Sequence, residues 1–450
     1  MRVRNGFRTW CGESEPWFIA VGLANLVLGT SSILVPLMIS EMSTSSPAVS
    51  RLGFVSSAAS LAGVVGSLVW GRLSDAAHRR KLFVVGSYAA VSAMFLAMAF
   101  VGRFSHLLLV NMATNFFWVA NASVTVLIVI ENRDPLHWEA KIGRLNQIGA
   151  LGWVFGLLLG SAALALGERW TTTDQTIRVL FAAIGAIGLA ASVLAARWIP
   201  RTMPRFTQRQ FRGVLLAIGN ILTERWRFAP FHLYHRIHPR RLYRMMRSPE
   251  GFRVGTKRFL GSTFVTFFAF GLAGIPLPLL LAERFGLSAS AVFGLYAVMQ
   301  TAIVVAYPIA ARRIRRKGNR SIQLSTVSFR LILFLLATLY LALSETIPVV
   351  VALAAVFFVY GFSWSFFQLS GVALTSRLAK PENQGLALGM YNALAGIGWL
   401  CAGVTSGALA SAAGYQAAFA ASAGTLAIAL AILISIPEPT AQIEEETDDE

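Results

Sequence analysis

Charge is scarce in this chain. Asp, Glu, Lys and Arg make up 13% of its 450 residues, whereas a soluble domain carries about 25%. The hydrophobic share is 56% and the mean hydropathy is +0.62, which excludes a soluble enzyme and a disordered scaffold. The 2 cysteines, Cys11 and Cys401, exclude a secreted disulfide framework and a paired-cysteine metal site. We therefore expect a membrane protein, and we predict no cofactor.

Apolar segments of about 18 residues or more without charge are long enough to cross a bilayer as helices. Twelve such segments are present, from Trp17 to Ile436, and only Arg330 interrupts one of them. Their length and their lack of alternation favour helices over the strands of a barrel. The first segment is too long for the core of a signal peptide, so we expect it to remain in the mature protein.

The net charge of +18 has a strongly uneven distribution along the chain. Alternate loops, together with the N-terminus, hold 33 of the 39 Lys and Arg residues. This bias predicts that both termini are cytoplasmic in a multi-pass protein of the cytoplasmic membrane. Nucleic acid is disfavoured as a partner, because the basic residues do not form a compact domain.

An internal repeat divides the chain into two six-helix halves. Four residues of the fifth span recur 246 residues later in the eleventh: Gly143, Asn146, Gly152 and Trp153 match Gly389, Asn392, Gly398 and Trp399. We predict an all-α membrane protein of two pseudo-symmetric bundles, with a substrate site between them near the bilayer midplane. The predicted parts are an N-terminus (1–16), a first bundle (17–198), a middle loop (199–258), a second bundle (259–436) and an acidic tail (437–450).

The predicted middle loop is rich in arginine and contains a candidate amphipathic surface helix. We expect it to contact anionic lipid at the cytoplasmic interface. It also contains His232, His235 and His238, whose spacing could serve a metal ion. Neighbouring arginines such as Arg236 would repel a cation, so a metal site is disfavoured.

A motif follows the second span on the basic side, where Gly71 to Lys81 reads GRLSDAAHRRK. It resembles the signature loop of the major facilitator superfamily of transporters, although Ala76 and His78 depart from that pattern. The degenerate copy after the eighth span carries Arg315 in place of the aspartate. The resemblance implies the fold of that family, with twelve helices and transport by alternating access.

The resemblance also implies a cytoplasmic gate in the first half. Asp75 would face the start of the eleventh helix, where a helix N-terminus stabilises a carboxylate, and Arg79 would meet Glu131 at the end of the fourth. Gly71 would allow close approach of helices, and Arg80 belongs to the same basic cluster. These contacts would hold the gate closed in the outward-facing state.

Polar and aromatic residues within the spans predict a central cavity of neutral amides and rings. Each residue alone is equally explained by helix packing. The predicted cavity residues are Asn25, Asn111, Asn115, Trp118, Asn121, Gln300, Tyr360, Trp364, Gln368, Asn392 and Trp399.

The spans contain no Asp, Glu, Lys or His, which are the groups that commonly couple transport to protons. A coupling proton would therefore use Asp75 or Glu131, or coupling is weak or absent. Arg330 could bind an anionic substrate, but snorkelling of its side chain to the interface is favoured.

The fifth span carries Gly152, Gly156 and Gly160, which partly match a motif of drug–proton antiporters within the same superfamily. Leu157 replaces its proline, and close helix packing explains the glycines equally well.

The leading hypothesis is a monomeric secondary transporter of a small neutral or amphipathic solute, with a leaning to efflux. The alternatives are a transport-fold sensor or interaction protein without flux, and a transporter of organic anions. An enzyme is disfavoured, since the sequence has no buried acid pair, no metal spacing and no nucleotide-binding motif.

Overall fold

The computed structural model describes residues 15–43, 47–77, 80–131, 138–167, 169–200, 254–343, 350–378 and 384–436. Most of the predicted middle loop, including His232, His235 and His238, lies outside these residues. The predicted acidic tail and nearly all of the predicted N-terminus also lie outside them. Within the described residues the chain is helical and contains no strand.

Six helices form the first bundle. They are α1 (Phe18–Glu41), α2 (Ala48–Ala77), α3 (Arg80–Met98), α4 (Phe104–Glu131), α5 (Trp138–Gly167) and α6 (Thr173–Trp198). The start of α6 has a capping box, in which the hydroxyl of Thr172 accepts from the backbone N–H of Gln175. The side chain of Gln175 in turn accepts from the backbone N–H of Thr172. The two bonds satisfy amide groups that a helix start leaves without partners.

The second bundle repeats this order. Helix α7 consists of Val254–Gly274 and, after a break at Pro276, the short turns Leu277–Leu279 and Leu280–Arg284; α8 is Ala289–Lys317, α9 is Asn319–Leu343 and α10 is Val350–Leu378. The last helical stretch is Gln384–Ile434, which is interrupted at Gly414. Helix α11 lies before Gly414 and α12 after it. Helix α7 begins within the segment that the sequence assigned to the middle loop.

Glycine makes two of the sharp connections in the second bundle. Gly318 joins α8 to α9 with a φ of 78°, and Gly414 joins α11 to α12 with a φ of 80°. Side chains disfavour positive φ, so glycine suits both turns. Ten stretches of the described residues are long and apolar enough to cross a membrane, and one of them contains both α11 and α12.

The internal repeat is visible in the packing. Gly152 of α5 lies against the backbone of Gly22 in α1, and Gly398 of α11 lies against the backbone of Phe264 in α7. A Cβ atom at Gly398 would lie 2.7 Å from the Phe264 carbonyl oxygen, so both positions require the smallest side chain. The fifth and eleventh helices therefore contact the first helix of their own bundle in the same way.

The two ends of the molecule differ in charge. The loops that hold most of the Lys and Arg residues lie at one end. There Lys81 Nζ donates to Ile199 O (2.7 Å), and Arg258 Nη1 donates to Ser435 O (2.7 Å). We call this end the basic face, and the end that contains Gly414 the opposite face.

Candidate functional site

Helices α2 and α11 join the two bundles near the opposite face. Ser50 Oγ donates to Gly407 O (3.2 Å), and Ser57 Oγ donates to Leu400 O (2.6 Å). Between these bonds Gly53 lies directly against the carbonyl oxygen of Gly403. A Cβ atom at Gly53 would collide with that oxygen, so the two backbones touch without intervening side chains. We call this the glycine contact.

Helices α5 and α8 make a second connection near the same face. Ser161 Oγ donates to Ser290 O (2.9 Å), and the ring of Phe293 lies against Gly160. Phe293 is fully buried. We call this the phenylalanine contact, because a ring fills the space between the helices.

Polar side chains nearer the basic face are exposed. Asn146 of α5, Gln368 of α10 and Asn392 of α11 are exposed, and Gln368 Oε1 accepts from the hydroxyl of Tyr307 on α8 (2.7 Å). All four residues lie about two or three helical turns from the ends at the basic face. Exposed amides within a membrane span are costly unless they face water, so these positions suit the wall of a central cavity that opens toward the basic face.

The predicted polar residues of α4 are mostly half-buried. Asn115 Nδ2 donates to Asn111 O within the same helix (2.9 Å). Trp118 stacks on Tyr88 of α3, with ring centroids 6.4 Å apart. Asn121 is 3% exposed. Among these residues of α4, Asn115 therefore bonds within its own helix, whereas Trp118 contacts α3.

Three further predicted cavity residues lie at half-buried positions. Asn25 Nδ2 donates to Val21 O one turn earlier (2.8 Å) and lies beside Gly149 of α5. Trp399 packs on α7 at Gly274, and Gln300 is half-buried on α8. The structure thus spreads the predicted cavity residues over helices of both bundles.

Tyr360 and Trp364 of α10 contact Arg330. The guanidinium carbon of Arg330 lies 4.3 Å from the Tyr360 ring centroid and 5.2 Å from that of Trp364. Arg330 is 0% exposed, so its side chain does not reach the interface. The favoured prediction of snorkelling was wrong because aromatic rings from α7 and α10 enclose this position, which the sequence of α9 alone does not reveal.

The predicted gate lies mainly outside what the structure describes. Arg79 falls in the gap between α2 and α3, while Gly71, Asp75 and Glu131 lie on helices whose side chains are not described there. Arg80 begins α3 and is 8% exposed. The gating roles of all five residues stay predictions.

Sequence reasoning missed the residues that join the bundles near the opposite face: Ser50, Gly53, Ser57, Gly160, Ser161, Ser290, Phe293, Gly403 and Gly407. Of these, Gly160 was noticed only as part of a glycine pattern. Small residues at four-residue spacing in α2 and α11 were the available signal. That signal indicates close packing but not which helix is the neighbour. In the described residues no group of three or more His, Cys, Asp or Glu could hold a metal ion.

The arrangement of two repeated bundles around a space that is closed at one end is typical of a secondary transporter. The family model of the Major Facilitator Superfamily matches residues 17–367 and 259–449. The chain belongs to this superfamily, and the predicted family and its twelve-helix fold are confirmed.

Solved structures of transporters share the fold. The human organic anion transporter MFSD10 (TETRAN) is 16% identical with a TM-score of 0.60, covering 93% of this chain and 98% of its own. The nucleoside transporter NupG is 15% identical with a TM-score of 0.63, covering 94% and 98%. The peptide transporter POT, solved in complex with sulfate, is 15% identical with a TM-score of 0.65, covering 94% and 95%. No curated protein sequence matches the chain.

Proposed function

We propose that this protein moves a small neutral or amphipathic organic solute across the cytoplasmic membrane by alternating access, with efflux as the favoured direction. The observation that carries the proposal is the contrast between the two faces. The bundles are joined by the glycine contact and the phenylalanine contact near the opposite face, whereas exposed amides lie nearer the basic face.

In this proposal the basic face is cytoplasmic, as the distribution of Lys and Arg favours. The structure then corresponds to an inward-facing state. The predicted gate of Gly71, Asp75, Arg79, Arg80 and Glu131 would close the cavity in the other state. A coupling proton, if one is used, would bind Asp75 or Glu131.

The substrate would contact amides and rings from both bundles. Asn25 and Asn115 represent the first bundle, and Gln368 and Asn392 the second. Neutral donors and acceptors of this kind suit a neutral or amphipathic solute rather than a highly charged one. We further propose that the protein acts as a monomer and that anionic lipid binds its middle loop.

The decisive experiment locks the opposite face. Ser161→Cys and Ser290→Cys place thiols on the two residues that a 2.9 Å hydrogen bond, from Ser161 Oγ to the backbone oxygen of Ser290, now joins across the bundles. The background is Cys11→Ser and Cys401→Ala. Oxidation should abolish solute flux in proteoliposomes and reduction should restore it, because alternating access requires this contact to open.

The matched control is Val85→Cys with Ser192→Cys, which joins α3 to α6 inside the first bundle at a 3.0 Å hydrogen bond. Oxidation of this pair should leave flux unchanged. Equal flux before and after oxidation of the first pair, with the disulfide shown by mass spectrometry, would contradict alternating access. A screen of sugars, nucleosides, peptides, drugs and organic anions for thermal stabilisation identifies the solute to use.

A further inference from the structure

Arg330 is a cation near the middle of the membrane without a described carboxylate partner. It lies eleven residues after Asn319 in the 25-residue helix α9, hence about 16 Å along its axis. Its Nη2 donates to Tyr360 O (2.9 Å), while Nε and Nη1 have no hydrogen-bond partner among the described residues. Buried charged donors without partners are costly and call for an explanation.

Aromatic rings surround the guanidinium but do not satisfy these two donors. Phe270, Tyr360 and Trp364 lie with their ring centroids 4.7, 4.3 and 5.2 Å from the guanidinium carbon. Such contacts partly offset the loss of hydration. Neither Nε nor Nη1 forms a hydrogen bond to any of these three side chains, and a carboxylate binds a guanidinium best through two such donors.

An apolar cavity of about 500 Å³ begins beside this arginine and extends toward the opposite face. Phe334 and Tyr360 form part of its wall, and they pack on each other with ring centroids 6.1 Å apart. Leu336 and Val356 also line it and are 58% and 45% exposed. Since exposed apolar side chains of a membrane span face lipid, the cavity is reachable from the bilayer. Its size is in the range of small-molecule sites, about 300–1,000 Å³.

The first bundle fills the corresponding space. Arg330 corresponds to Tyr88, 242 residues earlier, and Trp364 corresponds to Trp118, 246 residues earlier. In the first bundle Tyr88 stacks on Trp118. The same 242-residue offset places Phe95 at Ala337, which lines the cavity. Phe95 stacks on Phe181 and both are almost fully buried. The second bundle therefore has a cation in place of a neutral phenol and a methyl group in place of a ring.

We propose that Arg330 and this cavity form a binding site for a single-chain amphipathic anion, a long-chain carboxylate. The carboxylate accepts hydrogen bonds from Nε and Nη1, and the hydrocarbon chain occupies the cavity. A rotation of the Tyr360 ring, which separates the guanidinium from the cavity, admits the headgroup, and side-chain rotations of this kind are common on binding. The site lies inside the second bundle rather than between the bundles, so it does not depend on the proposed transport function.

Equilibrium binding of laurate, compared with dodecanol, tests the proposal. The full-length protein is placed in nanodiscs of a zwitterionic lipid, which carries no net charge and no carboxylate. Laurate should bind with one site per chain, and dodecanol at least about tenfold more weakly, since a charge-assisted hydrogen bond is lost. Arg330→Gln should weaken laurate by a similar factor and leave dodecanol unchanged. Arg320→Gln, the same substitution at the basic end of α9, is the matched control and should bind laurate normally.

A second variant keeps the test valid if Arg330→Gln does not fold. Ala337→Phe retains the arginine and places in the cavity the ring that the first bundle has at Phe95, so laurate binding should fall at least about tenfold. Equal binding of laurate and dodecanol, or unchanged laurate binding in Ala337→Phe, would overturn the proposal. So would phosphatidylglycerol, a two-chain anion, binding at Arg330 where laurate does not.

Discussion

The two contacts that close the opposite face are related by the internal repeat but are built differently. Ser50 and Ser290 are 240 residues apart, and Ser161 and Gly407 are 246 apart. In the glycine contact, backbone lies on backbone and no side chain fits. In the phenylalanine contact, one ring fills the gap. We therefore expect the phenylalanine contact to tolerate an added methyl group better than the glycine contact, because a side-chain ring can move more easily than a helix backbone.

The largest effect is expected from Gly53→Leu. Its side chain has no space beside Gly403, and overpacking of this kind costs about 1–3 kcal/mol. This cost destabilises the conformation in which the opposite face is closed. The ratio of open to closed molecules should therefore rise by about tenfold or more. Labelling of a cysteine at Gly294, where a Cβ atom meets only Ser161 Oγ at 3.8 Å, by a membrane-impermeant maleimide measures the opening.

Gly86→Leu is the matched control for this prediction. A Cβ atom there has no neighbour within 4 Å, so the same side chain should leave the labelling rate unchanged. Equal labelling rates in the two variants would mean that the glycine contact does not hold the face closed.

A smaller and more direct comparison uses one methyl group at each contact. Gly403→Ala places its Cβ atom against the hydroxyl of Ser57 and against two backbone atoms, 2.7 Å from Gly53 O and 3.0 Å from Ser57 N. Gly160→Ala places its Cβ atom against the ring of Phe293. We expect labelling at Gly294→Cys to rise several-fold in the first variant and less than about twofold in the second, because the ring can turn aside. The reverse order would refute the contrast between the two contacts.

Loss of a single hydrogen bond should have a still smaller effect. Ser57→Ala removes the 2.6 Å bond to Leu400 O. Hydrogen bonds between membrane helices contribute about 0.6 kcal/mol on average, so labelling should rise roughly threefold. Thr405→Ala is the control, because Thr405 bonds only to Cys401 O one turn earlier in its own helix. A rise equal to that of Gly53→Leu would indicate that Ser57 has a role beyond one bond.

The fold followed from the sequence because its signals are repeated. Segment length and absence of charge predicted the membrane-spanning helices, and the match of Gly152 with Gly398 predicted two bundles. None of these signals depends on which helices are neighbours. The contacts between bundles did not follow in the same way. Gly152 packs within its bundle and Gly53 packs between bundles, yet both are glycines in apolar helices. Spacing alone cannot distinguish a glycine that packs within its bundle from one that packs between the bundles.

The sequence allowed polar cavity residues to be proposed but did not reveal the contacts that these residues make. Asn115 and Asn25 bond to carbonyls of their own helices, and such local bonds are compatible with any polar residue in a helix. The environment of Arg330 could not be predicted from the sequence of α9 either. Its burial depends on Phe270 and Tyr360, which lie on two other helices.

The smallest effect on the opposite face is expected from a change near the basic face. Tyr307→Phe removes the bond to Gln368, which joins α8 to α10 within the second bundle. Because this bond does not connect the bundles, its loss should affect the open and closed states about equally, so labelling at Gly294→Cys should change less than about twofold. Since α8 also carries Phe293, a threefold rise like that of Ser57→Ala would mean that α8 transmits a change from one face to the other. The phenylalanine contact would then be the adjustable side of the closure and the glycine contact its fixed side.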